Sequence, residues 1–281
     1  MQIHEVKSLD GNSGCRVQLY RTERSTFVRK YSSCPEYNSR LEEQCRKQNF
    51  HNASQRVFSP AVLEWGYEDG LFYFDMEYIR GHKLSDMVPL MKDSDVKPMI
   101  DLLFKMLHWE EKGRRSDSAM IFQTKIISLE KKIGEKVPAE AFDLLRKFDW
   151  SCISWTPCHG DLTFDNMIVA ADGRVCLVDF LDSFCDSWMI DAAKVLQDAE
   201  LYWSFRSRTL SQAAAGRLKA ARDMIFEKLS AMENGKEKVR AVYHLLLLNV
   251  LRIWPYAEIQ KSEAWLKTAT EKAINLVRGL E

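Results

Sequence analysis

Apolar and polar residues alternate through Cys15-Arg16-Val17-Gln18-Leu19-Tyr20, the two-residue period of a half-buried β-strand. A second β-rich run, Thr26 to Tyr31, follows the polar stretch Arg21 to Ser25, so the pair predicts a hairpin. Tyr37 to Phe50 has helical composition, with Leu41 and Cys45 four residues apart on one face. Two more strands are expected at Val62 to Tyr67 and Leu71 to Tyr78, split by the turn Glu68-Asp69-Gly70. Beyond Gly81 the period becomes helical. Pro98 falls in a first turn after Asp95, and Ile100, Leu103, Phe104 and Leu107 follow at i, i+3, i+4 and i+7. Leu218, Ala221, Ile225 and Leu229 form another stripe, and residues 236–251 and 261–280 read as two further helices. Residues 155–180 interrupt this regime with short strands and turns. The order predicts an α+β chain with a small β-rich lobe over 1–80, a larger and mainly helical lobe over 81–281, and a cleft between them.

Composition narrows the function classes. At 281 residues, 46% hydrophobic and 28% charged, the chain is long enough to build a core without disulfide or metal staples. Forty basic residues balance forty acidic ones, which argues against nucleic acid as the main partner, since phosphate binding leaves a basic footprint. The seven cysteines are odd in number and include no Cys-x-x-Cys pair, so they read as free buried thiols in a reducing compartment. The N-terminus is polar, and the apolar run Leu245 to Leu248 is far too short for a bilayer, so the expected location is cytoplasmic with no membrane partner.

The stretch from Cys158 to Phe180 carries the chemistry. Met167 to Val169 and Val175 to Val178 are apolar runs joined by Ala170-Ala171-Asp172-Gly173-Arg174, whose Asp-Gly pair predicts a hairpin turn. Asp161 and Asn166 then sit in the loop entering the hairpin, and Asp179 sits where the chain leaves it. Magnesium takes hard oxygen ligands and keeps phosphate oxygens in its shell, which suits Asn166 and Asp179. The remaining carboxylate, Asp161, is placed to accept a proton from an attacking hydroxyl.

The pattern His159-Gly160-Asp161, four residues, Asn166, then Asp179-Phe180 at a strand end resembles the aminoglycoside phosphotransferase and choline kinase superfamily. That resemblance implies a bilobal protein-kinase-like fold, with Asp161 as catalytic base and Asn166 and Asp179 as magnesium ligands. Leu181 after Asp-Phe, and Gly160 where protein kinases carry Arg, favour the small-molecule branch. The resemblance also implies that Asp191 anchors the catalytic loop, although a helix N-cap role is equally open to it. In the first lobe Gly11 and Gly14 fall where a phosphate-covering loop belongs, and Lys30 resembles the strand lysine that contacts the α- and β-phosphates. Either Glu43 or Gln44 stands where such folds place the acid that holds this lysine. Phe74 to Gly81 resembles a hinge, with adenine bonding near Glu77 to Ile79.

The implied activity is transfer of the γ-phosphoryl group of ATP, with magnesium, to a hydroxyl of a small molecule such as a sugar, a glycan precursor or an amino alcohol like choline. A non-catalytic nucleotide-binding protein of the same fold, or a protein kinase, is the alternative. The acceptor is expected among the late helices. Arg252 interrupts an apolar run there, and a charge in such a place must pair or face a cleft. Trp203 and Tyr256 either line the acceptor site or belong to the core.

Overall fold

The structure, a computed structural model, describes residues 3–9, 14–51, 56–107, 117–258 and 261–281. In chain order its elements are β1 (Ile3–Leu9), β2 (Arg16–Thr22), β3 (Thr26–Tyr31), α1 (Asn38–Asn49), β4 (Val57–Phe58), β5 (Val62–Glu68), β6 (Leu71–Glu77) and β7 (Gly81–Lys83). There follow α2 (Leu84–Met87), α3 (Val96–Met106), α4 (Ser118–Ile133), α5 (Ala139–Lys147), β8 (Met167–Ala170), β9 (Val175–Leu177), α6 (Trp188–Leu201), α7 (Gln212–Ser230), α8 (Gly235–Ile253) and α9 (Glu263–Arg278). They divide into two compact units: Met1–Leu84 with Asp165–Asp182, and Ser85–Phe164 with Ser183–Glu281.

The first unit holds both sheets. An antiparallel sheet runs in the order β1-β2-β3-β6-β5, and the second runs β4-β9-β8-β7. In β3, Val28 lies on the face that packs with α1, joining Leu19, Leu41, Cys45, Phe72, Phe74 and Met76 in one core. Lys30, two residues on, shares that face, because strand side chains alternate. Arg29 takes the other face, where its guanidinium makes two bonds to Asp75, at 2.6 and 2.8 Å, and lies 4.0 Å from the Tyr73 ring centre. The hairpin β8–β9 closes as its sequence predicts: Gly173 has φ +82°, its amide donates to Ala170 O, and Asp172 Oδ1 accepts from the Arg174 amide. β7 pairs antiparallel with β8, and a Cβ at Gly81 would lie 2.3 Å from Val169 O, so only glycine admits this pairing.

The second unit is helical. α6 is buried along its entire length, and α8 is buried almost without a break from Ala241 to Ile253. No helix among the described residues is long and apolar enough to cross a membrane. Between α5 and α8, His244 stacks on Phe148 with ring centres 4.0 Å apart, and its Nδ1–H donates to Arg240 O at 2.7 Å. Burial pushes the His244 pKa down to about 4, against partial support from the Arg240 carbonyl. In the unfolded chain this imidazole takes a proton near pH 6.5, whereas the folded protein resists it until about pH 4. Stability is therefore fully present above pH 6.5 and is lost as pH falls toward 4, by about 3 kcal/mol from this group alone. Denaturant unfolding of the wild type and of His244→Gln at pH 7 and pH 4.5 will show a smaller acid loss in the variant.

Candidate active site

In the helical unit the loop His159–Phe164 is held by one face of α6. Asp191 accepts from two successive backbone amides, His159 N–H at 2.7 Å and Gly160 N–H at 2.8 Å. Asp198, seven residues along the same helix, accepts from Phe164 N–H at 2.6 Å and from Ser204 N–H at 2.7 Å. Between them Lys194 reaches the Asp161 carboxylate, Nζ to Oδ1 3.0 Å. Residues 191, 194 and 198 are spaced i, i+3 and i+7, so all three project from one stripe. The loop also braces itself: Asp161 N–H donates to His159 Nδ1 at 3.2 Å, and Thr163 N–H to Asp161 O at 2.7 Å. An accepting Nδ1 leaves the proton of a neutral imidazole on Nε2. Gly160 sits at φ +86°, which lets consecutive amides converge on one carboxylate. Every residue from His159 to Phe164 is buried except Asp161, whose side chain is 32% exposed.

The N-cap of α6 is Ser187, whose hydroxyl accepts from Met189 N–H. Asp191 therefore lies inside the first turns, and its carboxylate serves the loop rather than the helix end. Thr156 and Asp186 tie the approach to the loop onto the same helix start, through Trp188 N–H to Thr156 Oγ1 at 2.8 Å and Thr156 N–H to Asp186 O at 3.2 Å.

In the sheet unit Lys30 is 3% exposed and bonds to Asp179 Oδ1 at 2.9 Å and Gln44 Oε1 at 3.2 Å. Gln44 is thus the helix residue that meets the lysine, while Glu43 turns to Arg46. Gln44 Nε2 in turn donates to the Tyr37 hydroxyl at 3.1 Å. Burial opposes the Lys30 charge, and Asp179, by attraction and by its hydrogen bond, more than offsets this, so the pKa stands above its usual value. Asp179 adopts φ +60°, a left-handed conformation that Asp tolerates better than most residues, and its side chain stays 46% exposed. Val178 N–H donates to Asn166 O at 3.0 Å, fixing the entry of the hairpin against its exit.

The remaining expected positions fall as follows. Gly14 has φ +74° with open space around it, and Gly11 lies outside the described residues. Glu77 ends β6 exposed, with its amide given to Ala61 O at 2.9 Å, and Ile79 follows the strand half-buried. Arg252 lies with its guanidinium carbon 5.0 Å from the Phe184 ring centre and donates to Asn249 Oδ1 at 3.2 Å. Trp203 is 7% exposed, covered by Arg206 at 3.8 Å and packed on Trp265, whereas Tyr256 is 51% exposed. Lys194 and Asp198 were not among the expected residues; charges at i+3 and i+7 from Asp191, on the same helical stripe, are the signal that marks them.

Among solved structures the fold is that of protein-kinase-like phosphotransferases. A thermostable mutant of aminoglycoside phosphotransferase APH(4)-Ia, in ternary complex with ADP and hygromycin B, aligns over 98% of this chain and 94% of its own at 15% identity and a TM-score of 0.69. A fructosamine-3-kinase homologue from Haemophilus somnus 129PT aligns over 98% and 92% at 15% identity and a TM-score of 0.64. Spectinomycin phosphotransferase APH(9)-Ia, in complex with ADP and spectinomycin, aligns over 100% and 94% at 8% identity and a TM-score of 0.56. No curated protein matches the sequence. The chain belongs to the phosphotransferase enzyme family, whose profile matches residues 8–233.

The Asp191 clamp sets a measurable stability. Asp191→Ala strands two buried amides, each worth about 1–3 kcal/mol when left without an acceptor. Urea unfolding should show a loss of roughly 2–5 kcal/mol, with a smaller loss for Asp191→Asn, which keeps one accepting oxygen.

Proposed function

We propose that the protein is a small-molecule kinase that transfers the γ-phosphoryl group of ATP to a hydroxyl. The observation that carries this reading is the clamped loop, held by α6 at the His159, Gly160 and Phe164 amides, in which every residue but Asp161 is buried. In the proposed step the acceptor hydroxyl attacks the γ-phosphorus and a new O–P bond forms. The bond to the β,γ-bridging oxygen breaks, its electron pair leaves with ADP, and the hydroxyl proton goes to Asp161. Such transfers depend on positioning and on charge neutralisation, and a loop with pinned backbone supplies the first.

Nucleotide binding is assigned to residues 1–80, and catalysis and acceptor binding to 81–281. Lys30 contacts phosphate oxygens, Gly14 and Gly11 cover them, and adenine bonds to backbone groups near Glu77 and Ile79, the Glu77 amide being already engaged. Among the described residues no three His, Cys, Asp or Glu side chains gather as a metal cage. Magnesium held largely through phosphates needs only one or two protein donors, and the oxygens of Asn166 and Asp179 suit it. When bound, that ion would offset charge on the phosphate oxygens. The hygromycin B and spectinomycin complexes support a small hydroxylated acceptor; sugars, glycan precursors and amino alcohols are the classes to try, with Arg252, Trp203 and Tyr256 as positions to vary.

ADP release measured over a panel of hydroxylated metabolites tests the reading directly. Asp161→Asn should lower turnover by about two to four orders of magnitude, the usual contribution of a general base, with nucleotide affinity little changed. Near-normal turnover in that variant would sink the assignment. Lys30→Met removes a charge-assisted bond worth about 1.5–3 kcal/mol, so the KM for ATP should rise roughly ten- to hundredfold.

A further inference from the structure

The stripe on α6 makes three contacts with the catalytic loop, and they differ in kind. Asp191 and Asp198 hold backbone amides, which any residue would present. Lys194 holds a side chain, and it is that of Asp161. We propose that Lys194 is a positioning residue for phosphoryl transfer: its ammonium group fixes Oδ1 of Asp161, so that Oδ2 is presented to the acceptor hydroxyl. The proposal rests on the reading of Asp161 as the base.

Three observations carry it. Lys194 is only 7% exposed, inside a helix buried throughout, and a lysine is seldom so buried unless paired. Packing alone does not call for it, because a methionine of similar length fills such a site without desolvating a charge. The carboxylate it meets is 32% exposed and sits on a loop whose flanking amides are held by Asp191 and Asp198. An ammonium 3.0 Å from one oxygen restrains rotation of the Asp161 side chain. Misplacement of a proton acceptor by about 1 Å can cost a hundredfold in rate.

The rival account is that Lys194 merely stiffens the helix–loop junction. A double-mutant cycle separates the two. Turnover of MgATP is followed by ADP release, with water as acceptor or with any metabolite that exceeds the water rate, in Lys194→Met, Asp161→Asn and the double variant. If Lys194 acts through Asp161, Lys194→Met lowers kcat roughly ten- to hundredfold and leaves the KM for ATP within about threefold. In the Asp161→Asn background the same change then costs nothing further, and Lys194→Arg, which keeps a cation, recovers part of the loss. Equal losses in both backgrounds, or a kcat near wild type in Lys194→Met, would overturn the proposal. Should Lys194→Met fail to fold, Lys194→Gln, which keeps a polar head without the charge, takes its place with the same expectations. Should the Asp161→Asn background turn over too slowly to compare, the arginine variant decides, and no recovery counts against the proposal. Wild-type turnover in Asp161→Asn would instead remove the base assignment itself, a result distinct from a silent Lys194 beside an inactive Asp161→Asn.

Discussion

A helix with no solvent-facing side still carries Asp191, Lys194, Asp198 and Glu200. Charges there are tolerable only if each finds a partner inside the protein, since an unpaired buried ion costs several kcal/mol. Glu200 meets Lys272 at 2.7 Å and Arg222 at 3.4 Å, which ties α6 to α9 and α7. The other three turn to the loop His159–Phe164. The dependence runs both ways: the loop has no regular secondary structure to satisfy its amides, and the helix has no solvent to satisfy its carboxylates. This is why a six-residue loop can be buried and yet hold one shape, and why Gly160, at φ +86°, stands where two consecutive amides must face one acceptor.

Much of this organisation is visible in the sequence, and the parts that are not share a cause. Strands β2, β3, β5 and β6 and the hairpin β8–β9 are legible because each is an alternating or turn-bounded run of apolar and β-branched or aromatic residues, a pattern that shows even in β5, where no residue is buried. β1 is not, because Ile3–Leu9 is an edge strand whose residues 4–8 are exposed, leaving no pattern to read. The two-residue β4 is too short to show a period; it pairs only through Val57 and Phe58. α3, α7 and α9 announce themselves by stripes of burial. α6 is harder, since a helix buried all round has no stripe, and its polar residues resemble interruptions until their partners are known.

The candidate site is legible in a different way. Asp161, Asn166 and Asp179 stand out by type and spacing, but sequence alone left the lysine's partner open between Glu43 and Gln44. The geometry of α1 decides it: Leu41, Gln44, Cys45 and Gln48 form the buried face, so Gln44 points inward and Glu43 does not. Likewise Asp191 could have been a helix cap by its position. Ser187 holds that place, which frees the Asp191 carboxylate for the loop.

Gln44 changes what Lys30 can do. An ion pair at this position would give the lysine a permanent counter-charge; a carboxamide orients the ammonium but leaves its charge uncancelled. The carboxylate that meets Lys30 is Asp179, more than 40% exposed and set at a left-handed turn. A buried cation with one carboxylate partner holds that partner until another anion takes its place. Under the proposed reaction the phosphates would be that anion, and Asp179 would then be available to hold magnesium. Because Gln44 is neutral, it neither competes for the lysine nor needs to move. Such an exchange would pass between two anions around one ammonium, with the α1 face behind it.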